Sequence, residues 1–578
     1  MDQKQKKRKT NDQNNVIKLK HEYWTNVFTH IVDILRNTGK LNNYIITIEY
    51  VIDQFKDRQH KTRRAKYFDT QGKFPTPILS FELYERIISL TANNVMTQIK
   101  SELEVVRYYS MTIDSVPNTD ESAIYIRYVD QRGIPKKRFL DIINKRGDDD
   151  LQLMNILHAT LDKYNLSHNG FMGLSYNMDS NILKHRTSLK SCIKSINRFA
   201  EIVPCSSDPL SLVLIKIASS CYECSVFFTT LDELFNFFLI LEGRWVDVKF
   251  LLKNMSYNKF STKEKTLKRL YKNWSMIVYA LFHISENMSF SQNIRTKAYM
   301  LLHKVKRLET CIMAIFWEDI SGKITELEEE LLRYVSTEID FLKIFEIYQS
   351  LISYLDGFRT NKKFMDYKTR AFQISNILHF NNRTRIEKPQ MRFPANYTDE
   401  AEDFKIKTYF YMIDEIQTEL NYRKDTYQDL ASKFNFLNKI TTITDNELDL
   451  AIEYLQSIYL EYIDYHISTE CDRLKNGFNN IQRNLTSIKT ISTFIPANMY
   501  FFEQLTKVIQ IALCLSATSC QVEHSDLSVL NKVIEFLKPI MSEDTYNSLL
   551  IINMDHEVLK HIDFKGVIED FARSQSIN

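Results

Sequence analysis

Residues 105–245 alternate short β-branched runs with helical patterns, and that alternation restricts the fold more than any other feature of the chain. The run Val105–Asp114 is β-branched and aromatic and ends on a carboxylate. Two similar runs come after it, Ala123–Asp130 and Lys137–Ile143, joined by Gln131-Arg132-Gly133-Ile134-Pro135. Turn chemistry between three such runs predicts an antiparallel meander. A helical pattern over about 150–163 comes next. After it the chain reads as a run Gly170–Asn177, a helix over 181–197, a run Phe199–Cys205 and an apolar helix over 208–240. The predicted order is βββαβαβ, a mixed α/β arrangement.

Either side of this stretch the pattern is helical. Before it, Trp24, Val27, Phe28, Ile31, Ile34 and Leu35 recur at helical spacing. Ser80 is a candidate N-cap for a second helix through Tyr84, Ile87, Ile88, Val95 and Ile99. After it, helical periodicity runs to about residue 490, in segments such as Leu267–His283, Ile294–Trp317, Thr325–Arg359, Asp403–Tyr422 and Leu448–Asn479. Breaks are expected at Thr360–Lys363 and Asn381–Pro394. Only 11 glycines and 10 prolines in 578 residues favour long helices of this kind. Asn498–Leu515, Ser525–Leu537 and Ser542–His561 read as closing helices, with Pro539 ending the second.

Charge and cysteine content narrow the surroundings. A net charge of +3 gives no overall field that selects nucleic acid. Local basic runs occur at Lys6–Lys9, Lys56–Lys66 and Arg383–Arg392. The first has the composition of a nuclear localisation signal and equally of a solvated terminus. The eight cysteines show no paired framework, which points to a reducing compartment. Cys221 and Cys224 form a lone C-x-x-C in an apolar helix, without the second ligand pair that zinc needs. No apolar run suits a membrane span, since Leu210–Leu241 is broken by Lys216, Glu223 and Asp232. The start Met1-Asp2-Gln3-Lys4 is not that of a secretory leader. No phosphate-cradling glycine loop or G-x-S-x-G elbow is present, and no small-molecule substrate is expected.

Six segments in chain order resemble hAT-family transposases. Met111-Thr112-Ile113-Asp114-Ser115-Val116-Pro117 resembles their first strand and its D-S-T-P-D opening. Ile126–Asp130 and Arg138–Leu140 resemble the next two strands. Gly173–Asn181 resembles G-Q-x-Y-D-N-x-x-N-M, and Pro204–Leu212 resembles C-x-x-H-x-L-N-L. Arg244-Trp245 resembles an R-W pair. Thr518–Ser525 resembles T-S-C-x-x-E-R-S, and Met541–Leu549 with Asp555-His556-Glu557 resembles the family's closing segment beyond that motif. The nearest branch resembles the transposase-like domain of zinc finger MYM-type proteins and THAP-type repressors.

The resemblance implies a ribonuclease-H-like domain interrupted by a long helical insertion, with a C-terminal hAT dimerisation region. The expected division is a disordered basic tail at 1–20, a helical region at 21–104 and the first part of the core at 105–245. The helical insertion then covers 246–490, and the rest of the core with the dimerisation region covers 491–578. It implies a nuclear protein with DNA as a partner, and a homodimer formed through Leu527, Leu530, Val533, Ile534, Leu549, Leu550 and Ile552. Those same faces are alternatively expected to cover the core of their own chain. No zinc finger reader is expected in front of the domain.

The family's chemistry needs two divalent metals held by three converging carboxylates. By resemblance these positions are Asp114, residue 177 and Glu523, with Arg244 and Trp245 near DNA bases. Residue 177 is Asn177, whose amide offers one neutral oxygen and no charge. The expectation is therefore a catalytically inactive, transposase-derived protein with no cofactor. The alternatives are an active Mg2+-dependent transposase or nuclease in which Asp179 substitutes, and a decayed element copy with no role as protein.

Overall fold

The structure is a computed structural model that describes residues 21, 25, 28–29, 31–33, 81–115, 121–144, 150–176, 186–204, 210, 221–240, 272–334, 339–375, 402–477, 487–495, 501–515 and 542–577. It begins with helix α1 (Phe81–Glu104), then strands β1 (Tyr109–Ser115), β2 (Glu121–Val129) and β3 (Pro135–Asn144). Helix α2 (Asp150–Lys163), strand β4 (Phe171–Tyr176), helix α3 (Arg186–Ile196) and strand β5 (Glu201–Ile202) succeed them. Helices α4 (Tyr222–Ile240), α5 (Trp274–Glu286), α6 (Gln292–Val305) and α7 (Leu308–Arg333) come next. Then come α8 (Phe341–Asp356), α9 (Asn361–Ser375), α10 (Tyr411–Phe434), α11 (Asp445–Ile458) and α12 (His466–Gly477). The chain closes with α13 (Ile488–Phe494), α14 (Glu503–Leu515), α15 (Glu543–Met554), α16 (His556–His561) and α17 (Lys565–Ile577).

The five strands form one mixed sheet in the order β3-β2-β1-β4-β5, in an otherwise mostly helical chain. The order of elements through β5 is the βββαβαβ read from the residues. Contacts divide the chain into two compact units. One comprises Met1–Leu174, Ser188–Glu201 and Val522–Asn578, the other Ser175–Thr187 and Ile202–Gln521.

In the first unit, β1 and β2 pair antiparallel from Tyr109↔Tyr128 to Ser115↔Ser122, and β2 pairs antiparallel with β3. The β2–β3 turn is closed by the Asp130 carboxylate, which accepts from the N–H groups of Arg132 at 2.9 Å and Ile134 at 2.8 Å. Gly133 sits there at φ 77°, a conformation that costs a glycine little. Every residue of β2 is buried, as expected of a strand covered on both faces.

Strand β3 is the sheet's edge, and its register slips between Ile124 and Tyr125 of β2, so that Leu140 bulges out of the pairing. An edge and a bulge leave backbone groups that burial would penalise. Two side chains take them up. The Tyr164 hydroxyl donates to the Leu140 carbonyl at 2.7 Å, and the Asp555 carboxylate accepts from the Phe139 N–H at 3.1 Å. Asp555 also faces Arg138 at 3.8 Å, whose guanidinium bonds Glu102 of α1 at 2.9 and 3.3 Å. The Tyr128 hydroxyl donates to the same Glu102 carboxylate. Burial works to raise the Glu102 pKa, but Arg138 and Tyr128 outweigh it and hold the carboxyl below its ordinary value of 4.5.

The C-terminal helices thereby cover the edge. Helix α15 packs on α1 and β3, burying Leu549, Leu550 and Ile552. Its N-cap Ser542 and Thr545 donate to Glu85 of α1 at 3.0 and 2.8 Å. Phe571 of α17 meets Phe28 edge-on, with centroids 5.1 Å apart. Of the two uses expected for the apolar C-terminal residues, the described ones cover their own chain. Leu527, Leu530, Val533 and Ile534 lie outside the described residues.

Among the described residues, the regular elements of the second unit are helices apart from the parts of β4 and β5 that fall in it. Helices α8 and α10 form its main pair, with Tyr348 and Tyr427 stacked at 5.8 Å. Asp319 of α7 accepts from Lys363 at 3.2 Å, Tyr367 at 3.0 Å and Arg370 at 3.1 Å, all on α9. Of the predicted break at 360–363, Thr360 falls between α8 and α9, while 361–363 begin α9. Four segments read as single helices are each two; one of them, 542–561 of the first unit, parts at Asp555 between α15 and α16. Of the other three, the first, 294–317, parts at Arg307, whose backbone is extended. The second, 325–359, is interrupted before Ile339 (φ 51°) and restarts at Asp340, whose side chain caps Leu342 and Lys343. The third, 448–479, parts between Tyr459 and Tyr465. None of these breaks uses glycine or proline.

Replacing Asp555 by alanine leaves the buried Phe139 N–H without its acceptor and removes a buried carboxylate from beside the Arg138 guanidinium. We expect a loss of about 2–4 kcal/mol in urea unfolding, against less than about 0.5 for the exposed Glu557→Ala. Glu102 has a lowered folded pKa, so its stabilisation is full above pH 4.5 and drains as pH falls through the lowered value. In Glu102→Gln, the acid limb of a melting-temperature profile should lose steepness in that window.

Candidate functional site

The first of the expected site positions lies in the sheet. Asp114 is the penultimate residue of β1, paired with Ala123 of β2. Its strand is set by the buried Tyr109, Met111 and Ile113, alternate residues that share one face. Residue 177 comes directly after Tyr176, the last residue of β4, and β4 is the strand beside β1. Asn177 itself, with Asp179, Arg244, Trp245 and Glu523, lies outside the described residues.

The start of β4 is fixed against the start of β1 by close packing. A Cβ on Gly170 would lie 2.4 Å from the Arg107 carbonyl oxygen and 3.0 Å from the Tyr109 ring. The Tyr109 hydroxyl donates to the Ser167 carbonyl at 2.8 Å. Burial pushes that phenol's pKa well up, so it remains a donor. The Asn197 amide, just past α3, donates to the carbonyls of Asn169 and Phe171, each at 3.0 Å. This joint sets where β4 runs beside β1. Further along, the Ser175 hydroxyl donates to the Val203 carbonyl at 2.8 Å.

What the arrangement can do depends on donor chemistry. Asp114 supplies a carboxylate at a strand end, the kind of hard oxygen that magnesium takes. Asn177 supplies a neutral amide oxygen where a second carboxylate is expected. Among the described residues, no group of three or more His, Cys, Asp or Glu side chains could hold a metal ion. Cys221 and Cys224 are both buried, and burial raises both thiols above their ordinary value. That favours the protonated form over the thiolate a metal requires.

Residues 48–186 match the family model described as ZMYM1/FAM200, RNase-like domain. The matched stretch contains α1, all of β1–β4 and α2, together with Asp114, Asn177 and Asp179. It supports a ZMYM-type, transposase-derived family with a ribonuclease-like domain. Arg244, Trp245 and Glu523 lie beyond it. No curated protein matches the chain.

Reading the residues missed one surface. The basic runs Lys56–Lys66 and Arg383–Arg392 lie outside the described residues, whereas exposed and half-exposed cations flank the outer face of helix α6. The signal was there: 287–308 holds five Lys and Arg residues and no acid.

The Gly170 contact makes a direct test of the β1–β4 joint. Gly170→Ala should cost about 1–3 kcal/mol by overpacking, read as a lowered unfolding midpoint. Gly566→Ala, with nothing within 4 Å of the added carbon, should not lower the midpoint.

Proposed function

We propose that this chain is a transposase-derived nuclear protein, related to hAT elements through the zinc finger MYM-type and THAP-type branch. It is catalytically silent, self-associates and works by binding DNA or protein. The observation that carries this reading is Asn177, directly after β4, inside a stretch that matches a ribonuclease-like family model. A two-metal site shares its charge among three carboxylates, and replacing one by an amide removes a full negative charge from both ions.

The residues do not fit a two-magnesium centre, and no step is assigned to one. Asp114 and Glu523 are the remaining carboxylates. The second reading, an active nuclease, is favoured by one observation: Asp179 lies two residues beyond Asn177 and would share its face in an extended chain. Against it, that shift moves the carboxylate by about 7 Å.

Self-association is proposed through Leu527, Leu530, Val533 and Ile534, because Leu549, Leu550 and Ile552 are buried within their own chain. Nuclear entry is proposed through Lys6-Lys7-Arg8-Lys9. Among the described residues no helix is long and apolar enough to cross a membrane.

The deciding experiment incubates purified protein with Mg2+ or Mn2+ and DNA bearing terminal inverted repeats. No strand cleavage is expected. Cleavage that disappears in Asp114→Ala would overturn the proposal and install the second reading. In calorimetry, Asn177→Asp should gain Mg2+ binding that the natural chain lacks. Light scattering at micromolar concentration should report a dimer, and a monomer there would remove self-association.

A further inference from the structure

Helix α6 is the second helix of a hairpin, packed against α5 across the short turn 287–291. Ser291 caps it, its hydroxyl accepting from the Ile294 N–H at 3.4 Å. One stripe, Ala298, Leu301, Leu302 and Val305, is buried. The opposite face is open. Asn293, Thr296, Met300 and His303 recur at three- and four-residue steps along it, and all are exposed. Met300 is 57 % exposed and the neighbouring Tyr299 54 %.

Cations flank this crest on both sides. Lys297 and Lys304, seven residues apart, form one shoulder. Arg295 and Lys306, eleven apart, form the other. No acidic residue occurs from 287 to 308, although the whole chain carries almost as many acids as bases. Some of the cations have weak local partners. Lys304 meets Glu233 at 2.5 Å, Arg307 meets Glu309 at 3.5 Å, and Arg295 lies 2.7 Å from the Met288 sulfur. The two ion pairs are partly exposed and exchange readily for another anion.

We propose that α6 is a DNA-docking helix that lies in the major groove of a duplex. The shoulders contact phosphates on the two groove walls, and the crest faces the base edges. The groove admits one α-helix, and its walls are lines of negative charge, which matches a helix basic on two sides and uncharged along most of its crest. Asn, Thr and His are side chains that hydrogen-bond base edges, and a methionine can meet a thymine methyl. This proposal rests on the reading of the chain as a DNA-binding protein and names the surface that does the binding.

The test measures fluorescence anisotropy of a labelled random-sequence duplex with the full-length chain across a salt series. Lys297→Ala with Lys306→Ala, one from each shoulder, should weaken binding about tenfold at low salt. The same pair should flatten the plot of log affinity against log salt by about one to two units. Lys343→Ala, an exposed cation on α8, should change neither. Asn293→Ala and Met300→Ala should alter the sequences enriched from a duplex pool while leaving random-duplex affinity within about twofold. Unchanged melting curves show that these surface variants fold. If the natural chain binds duplex and the shoulder pair binds equally well, α6 is not the interface, and DNA binding by the chain survives. If the natural chain binds no duplex even at low salt, both fall. If polyglutamate displaces the duplex and its own binding shows the same variant dependence, the helix serves an acidic protein instead.

Discussion

The Asp555 carboxylate does for the edge of the sheet what a sixth strand would otherwise do. Strand β3 has a bulge and an open side, and its Phe139 N–H is buried. Satisfying that group from a side chain brings a negative charge into the interior, so a positive one must come with it. Arg138 answers that demand, Glu102 accepts from Arg138, and the Tyr128 hydroxyl donates to Glu102. The chain of partners runs from the C-terminal helices through β3 and β2 to α1. Each member is buried or half-buried, so none can leave without stranding the next. That coupling is why α15 is held at both ends, by Glu85 at its start and by the bulge at its finish.

Much of this was written locally in the residues. The strands were legible because β-branched runs, the turn at Asp130–Pro135 and the carboxylate at 114 are short-range signals. Their order came from the helical patterns between them. The helix breaks at Arg307, Ile339 and Tyr459–Tyr465 were not legible, since they are made by side-chain caps and packing rather than by glycine or proline. Asp555 was read only as part of a motif, because its partner lies 416 residues away and no local pattern announces such a pairing. The candidate site divides in the same way. Asp114 could be placed from its strand end, while Asn177 and Glu523 lie outside the described residues and rest on resemblance of letters.

The second unit obeys a different logic. Its helices are locked by half-buried hubs such as Asp319, where a single carboxylate gathers Lys363, Tyr367 and Arg370 from one neighbouring helix. Burial would raise that carboxyl, and Arg370 with Lys363 and Tyr367 lowers it below its ordinary value instead. A hub of this type fixes the rotation of α9 against α7, which apolar packing alone leaves loosely specified. The exposed crest of α6 stands on such a scaffold, where binding residues are best held.

The span between Phe139 and Asp555 also bears on how the protein is made. A ribosome releases the sheet long before it releases the helix that seals the edge. At about 5–20 residues per second, the nascent β3 waits tens of seconds with an unpaired flank. Through that interval, molecular chaperones or the bulge at Leu140 itself must keep neighbouring chains from adding a strand.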